Sequence, residues 1–172
     1  MSKSMSVVLA HGAWADGSSW SKVIAGLARR GVQAVAAQLP LTSLADDLAA
    51  LERSLDRVDG PAVLVGHAYA GGVIGATRHP AVKALAYVAA MAPDEGEAIA
   101  APYQYNPAHP LAPNLEPDAN GLVWLPQTAF AAAFAQNASA DEQAVLHAVQ
   151  RPISIACITV PVGRPLWRDV PA

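Results

Sequence analysis

The stretch Ala62-Val63-Leu64-Val65 is apolar at every position, so a strand formed there needs cover on both of its faces. Strands of that kind belong to parallel sheets flanked by helices. This one runs through Gly66-His67-Ala68 straight into Tyr69 to Arg78, a helix candidate stopped near Pro80. A strand, one tight turn and a helix thus follow each other with no room for a loop.

The first ninety residues repeat the alternation. Ser6 to Ala10 is a short apolar run that ends at His11-Gly12. Residues 18–30 show helical spacing, with Trp20, Val23, Ile24, Leu27 and Ala28 on one face and Gly31 as the C-terminal stop. Val32 to Ala37 is the next strand candidate, closed by Leu39-Pro40. Leu44, Leu48, Leu51, Leu55 and Val58 predict a second helix, started by a capping box of Ser43 and Asp46. Gly60-Pro61 breaks the chain before Ala62, and Ala84 to Val88 is a fourth strand. The order βαβαβαβ predicts the α/β class: an open parallel sheet with flanking helices and right-handed connections.

The pattern changes after residue 91. Pro93, Pro102, Pro107, Pro110, Pro113, Pro117 and Pro126 exclude long regular elements over 92–127. Two helices are expected beyond them, at 127–136 and at 139–149, the second with Ser139 as N-cap and Glu142 at N3. Trp124, Phe130 and Phe134 need burial, so this region is read as an insertion across the sheet rather than a linker. Residues 152–160 are expected to be extended, and 161–172 are broken by prolines. The division is then a core over 1–91, a cap insertion over 92–151 and a segment over 152–172 returning toward the core.

Composition narrows the function classes. At 172 residues the chain fits one domain, and 53% hydrophobic against 15% charged residues marks it as globular rather than disordered. Net charge is −3 and the only basic pair is Arg29-Arg30, which excludes a nucleic-acid footprint or a polybasic membrane patch. Cys157 is the single cysteine, within the apolar run 153–158, and reads as a buried, inert thiol. The N-terminus carries Lys3, but Val7 to Ala10 is too short for a signal-peptide core, and no window approaches the roughly 18 apolar residues of a membrane span. The histidines lack metal spacing, and Gly66 to Gly72 lacks the Lys-Ser/Thr of a phosphate loop. A cytoplasmic enzyme or binding protein without metal or cofactor is expected.

The segment Gly66-His67-Ala68-Tyr69-Ala70 has the shape of the G-x-S-x-G nucleophile elbow, in which a sharp strand-to-helix turn exposes its third residue above the sheet edge. Small residues flank that position because strand and helix nearly collide, and Gly66 and Ala70 meet the demand. Upstream, His11-Gly12-Ala13-Trp14 lies between the first strand and first helix. Together, residues 7–14, Trp20 and residues 65–72 resemble the α/β-hydrolase superfamily, in particular small HGAW-type esterases related to methylesterases and hydroxynitrile lyases. The resemblance spans residues 6 to 172 in element order. It implies hydrolysis of a small carboxylic ester through a serine acyl-enzyme, with Ala13 and Tyr69 N–H groups holding the oxyanion. It further implies a binding site shaped by His11, Gly12, Trp14 and His67, which takes a small ester or apolar ligand.

Two departures bear on activity. The nucleophile position holds Ala68, which has no hydroxyl, and Ala70 replaces the usual glycine. In the family the acid and histidine follow later strands in the order Ser, acid, His, which implies places beyond Ala172. Asp94, Asp118 and Asp141 read as loop or cap residues, and Asp169 precedes the strand it would have to follow. His79, next to Pro80, suits a helix end, while His109 and His147 read as surface positions. Tyr103, Tyr105, Trp124 and Phe130 read as packing residues before pocket residues. Two functions stand side by side: a hydrolase with its nucleophile substituted, and a non-catalytic pseudoenzyme that binds a small apolar ligand or a partner. An uncovered sheet edge is expected to promote self-association.

Overall fold

The computed structural model describes residues 4–106, 109–110 and 112–172; Lys3 and Pro107 lie outside the described residues. Four strands, β1 (Ser6–Ala10), β2 (Ala34–Ala37), β3 (Ala62–His67) and β4 (Val82–Val88), form one parallel sheet in the order β2-β1-β3-β4. Val8 stands between Val35 on one side and Leu64 on the other. The chain moves outward from β1 to β2 and then crosses back to β3. The strand order therefore reverses between β1 and β3, and in open α/β sheets a crevice forms at the carboxyl ends of the strands at such a point.

A 3₁₀ turn at Gly17–Trp20, capped by the Asp16 side chain, leads into α1 (Ser21–Ala28), and Gly31 with φ +71° ends that helical stretch. Helix α2 (Leu44–Leu55) starts at Ser43, whose hydroxyl accepts the Asp46 N–H. The box expected there closes differently: the Asp46 carboxylate accepts the Ser43 and Thr42 hydroxyls. Helix α3 (Ala70–Ala76) follows β3 after two residues and is buried from Ala70 through Gly75.

The core lies on the α2 and α3 side of the sheet, where Val8, Leu51, Leu55, Leu64, Val73 and Ile74 are buried together. The other side is thinner than an apolar strand anticipates. No residue of α1 is fully buried, Val23 is 43% exposed, and β3 alternates buried Ala62, Leu64 and Gly66 with half-buried Val63, Val65 and His67.

Beyond β4, Ile99 is fully buried against α3, in the space left by the missing side chain of Gly72. Helix α4 (Pro102–Tyr105), strand β5 (Leu122–Val123) and helix α5 (Gln127–Ala129) follow. The helix expected over 127–136 widens into a π turn at Phe130–Phe134, closed by the Ala135 N–H donating to the Phe130 carbonyl. Helix α6 (Ala140–Ala148) has the complete Ser139/Glu142 capping box. A second apolar cluster gathers Leu125, Ala129, Phe130 and Ala135. Only Ile153–Ser154 of the stretch 152–160 is extended, as β6 antiparallel to β5; residues Ala156–Thr159 turn into helix α7. That correction has a packing cause: the helical turn brings Cys157 fully under the core while Ile155 and Val160 stay at the surface. No helix among the described residues is long and apolar enough to cross a membrane.

Candidate active site at the carboxyl edge of the sheet

Four non-glycine residues have positive φ: Trp14 (58°), Leu41 (61°), Ala68 (50°) and Ala89 (44°). One follows each strand, at the carboxyl end of β1, β2, β3 and β4 respectively. Left-handed backbone at such residues costs on the order of 1–3 kcal/mol each and persists only where surrounding structure enforces it. Four such residues on one edge of the sheet make that edge the candidate site.

The closest approach joins the loops after β1 and β3. A Cβ on Gly12 would lie 3.0 Å from the Ala68 Cβ and 3.1 Å from His67 Nδ1, so glycine lets the loop seat against the turn without pushing either back by a few tenths of an ångström. Gly66 is more tightly constrained, since a Cβ there would stand 2.9 Å from the Ala70 carbonyl oxygen. The Ala68 carbonyl accepts from the Gly71 N–H at 3.1 Å and from the Met91 N–H at 3.0 Å, which ties the exit of β4 to the turn. In contrast, neither the Ala13 N–H nor the Tyr69 N–H donates to any of the described residues. One of these donors follows Gly12, the residue packed on the Ala68 Cβ, and the other follows Ala68 itself.

The side chains around these donors hold backbone in place. His11 is fully buried; its Nδ1 lies 2.9 Å from the Gly12 carbonyl and its Nε2 accepts the Leu39 N–H at 3.0 Å. Those partners fix the neutral tautomer with the proton on Nδ1. Burial lowers the His11 pKa, partly offset by the bond to Gly12. His11 thus clamps the exit of β1 to the exit of β2, and both its nitrogens are committed. His67 is half-buried, with its pKa lowered by burial, and its ring meets Trp20 edge-on at 6.3 Å. Trp14 donates from Nε1 to the Val123 carbonyl at 2.9 Å and stands edge-on to Phe134, so it fastens the loop to the second cluster.

Asp47 joins the same edge. It is fully buried, with Oδ1 accepting the Leu41 N–H at 2.7 Å and Oδ2 accepting the Tyr69 hydroxyl at 2.6 Å. The Cys157 thiol lies 3.8 Å from Oδ2. Burial pushes the carboxyl of Asp47 up, against the pull of those hydrogen bonds. Burial and the neighbouring carboxylate push the Tyr69 phenol far above its ordinary value, and burial raises the Cys157 thiol to about 12, so the thiol is protonated and unreactive. Asp47 belongs to no motif, yet its place in the sequence carries a signal: it shares a helix face with Leu44, Leu48 and Leu51, where a charge is out of place.

Several of the remaining candidate acids and histidines are engaged elsewhere. Asp94 pairs with Arg168 and Asp169 with Arg164, both at the surface, and His79 lies 3.1 Å from Asp56. Asp118 accepts the N–H groups of Asn120 and Leu122 and the Trp124 indole. His147 packs edge-on against Phe130, which is buried, while Tyr103, Tyr105 and Trp124 are exposed. No metal-ligating cluster occurs among the described residues. A surface cleft of about 400 Å³ is lined by His109, Ala112, Pro113, Ala132, Ala133 and Gln136, none of which is a residue of the strained turns.

Comparison with known proteins agrees with this arrangement. No curated protein sequence matches the chain. Among solved structures, a pyrethroid hydrolase from Sphingobium faniae JZ-2 is similar with a TM-score of 0.74 at 19% identity, over 92% of this chain and 72% of that one. A mutant of polyneuridine aldehyde esterase gives 0.72 at 19% identity, over 89% and 71%. A variant of tomato methylketone synthase I complexed with beta-ketoheptanoate gives 0.73 at 17% identity, over 90% and 69%. At such identities the likeness is one of fold. The sequence pattern described as "Alpha/beta hydrolase family" matches residues 7–172, which takes in the sheet, the strained turn and everything after it. With strand order, turn geometry and sequence pattern in agreement, the chain belongs to the α/β-hydrolase family.

Proposed function

We propose that this protein uses the N–H groups of Ala13 and Tyr69 to hold the carbonyl oxygen of a small carboxylic ester or acid, and binds it without turnover. The observations that support the reading are Ala68 at φ +50° with its Cβ against the Gly12 loop, and the N–H groups of Ala13 and Tyr69, which donate to none of the described residues. In the family's ester chemistry a serine hydroxyl there attacks the carbonyl carbon, and the paired N–H groups take up the charge on oxygen. Backbone donors do not depend on the side chain at 68, so the means of polarising a carbonyl outlasts the loss of the nucleophile. The Ala68 methyl forms no bond to carbon, and His11 has no free nitrogen to take a proton. The ester C–O bond therefore stays intact. Similarity to an esterase, a pyrethroid hydrolase and a synthase holding a keto acid supports a small carbonyl ligand. On this reading His11 and Gly12 shape the loop, while Trp14 and His67 border the ligand.

A second reading keeps the family's hydrolytic function and makes Ala68 its one lesion; the retained strain at the turn favours it, since binding alone needs no exposed side chain there. Ala68→Ser separates the two. With p-nitrophenyl acetate, the native chain is expected to match the buffer rate, and Ala68→Ser is expected to show no stoichiometric burst of p-nitrophenolate. A burst in the variant establishes a working base and turns the account to the hydrolase. Turnover by the native chain contradicts the binding reading outright.

A further inference from the structure

Burying a carboxylate costs several kcal/mol unless its oxygens are well occupied, and a phenylalanine at position 69 would present the same backbone N–H without any such cost. The chain nevertheless sinks Asp47 fully beneath the carboxyl edge and aims the Tyr69 hydroxyl at it over 2.6 Å, across 22 residues of sequence. The other Asp47 oxygen holds Leu41 N–H, at the residue whose φ is +61°. One carboxylate therefore grips two of the four strained exits, those of β2 and β3. Tyr69 directly follows Ala68, so its side chain is the lever nearest to the φ +50° backbone.

We propose that Asp47 is a positioning residue, which holds the Ala68–Tyr69 turn and aims the Tyr69 N–H through the Tyr69 hydroxyl. This takes that N–H as one of the two carbonyl donors of the proposed function. Among the described residues no other contact fixes the rotation of the Tyr69 side chain as firmly: the Cys157 thiol is 3.8 Å from the same carboxylate oxygen and adds only a weak, polarisable contact. Without the clamp, the turn is free to relax from left-handed backbone toward a cheaper conformation, and the N–H swings off the carbonyl. Asp47→Asn should preserve the function, because Oδ1 still accepts Leu41 N–H and the amide NH₂ can donate to the Tyr69 oxygen.

The test uses ¹⁵N-labelled native chain, Tyr69→Phe, Asp47→Ala and Asp47→Asn, first without ligand and then titrated with methyl butyrate. Ligand-free Tyr69→Phe and Asp47→Ala are expected to show microsecond-to-millisecond exchange broadening at the amides of 68–71, with Ala13 and β2 amides native. Asp47→Asn is expected to keep a native turn. Affinity for methyl butyrate is expected to fall about tenfold in the first two variants and less than about twofold in the third. A Tyr69→Phe chain with native turn dynamics overturns the assignment, as does equal loss of thermal stability in all three variants with an undisturbed turn. Should Asp47→Ala fail to fold, Tyr69→Phe, which deletes one oxygen atom, decides alone. If native chain shows no shift at Ala13 or Tyr69 with methyl butyrate, the carbonyl-binding reading fails, while the ligand-free turn dynamics still judge Asp47.

Discussion

Among individual residues, those in closest contact decide the site. Gly12 and Ala68 touch where two strand exits converge, and an added methyl at Gly12 meets Ala68 Cβ at 3.0 Å and the His67 carbonyl oxygen at 3.2 Å. Gly12→Ala is expected to destabilise the fold by about 1–3 kcal/mol, the usual cost of overpacking, read from the denaturant midpoint. His11 supplies a pH signature. Its folded pKa is below the unfolded value of about 6.5, so the fold favours the neutral ring. That contribution is complete above about pH 6.5 and is lost as pH falls from there through the folded value. Thermal melts from pH 7.5 to 5 should show a falling Tm, and His11→Asn, though less stable at pH 7.5, should show a flatter slope. His67 is lowered by the same cause and acts in the same window. Asp47 runs opposite: its raised carboxyl makes the folded chain take up a proton before the unfolded chain does, which adds stability as pH falls through its folded value. At this scale the turn was legible because Gly66, Ala68 and the HG dipeptide are local pattern. The Tyr69–Asp47 bond was not, because a contact across 22 residues leaves no local spacing, only one charge on a leucine face.

The elements explain what the pattern could and could not reveal. Four strands and the three helices between them followed from apolar runs and leucine spacing, since each is set by its own sequence. Their order in the sheet needed the long-range pairing of β1 with β3. Residues 152–160 read as extended because Ile, Thr and Val favour strands, yet burial of Cys157 selects a helical turn. The widening of the helix at Phe130–Phe134 likewise serves packing, placing Phe130 and Phe134 4.8 Å apart with Phe134 against Trp14. Trp14 therefore packs on both clusters. Trp14→Phe keeps an aromatic ring but removes the hydrogen bond to Val123. It is expected to cost about 1 kcal/mol and to speed amide exchange over 122–135 before that of the sheet. Uniform acceleration across the whole chain contradicts Trp14 as the strap between the two.

For the whole molecule, the uneven cover of the sheet is the dominant fact. Half-buried Val63 and Val65, with Val23 at 43% and Val88 at 44% exposure, leave one face apolar and open. The chain on its own is expected to self-associate at micromolar concentration and to bind a hydrophobic dye, by light scattering and fluorescence. A dye-silent monomer over the same range contradicts this. The central claim, a carbonyl held by two backbone donors beside a residue unable to attack it, is tested most directly by titrating ¹⁵N-labelled native chain with methyl butyrate. The account predicts downfield proton shifts at Ala13 and Tyr69 that saturate together, with no methanol released. Methanol in the spectrum, or shifts confined to the cleft around His109 and Gln136, would contradict it.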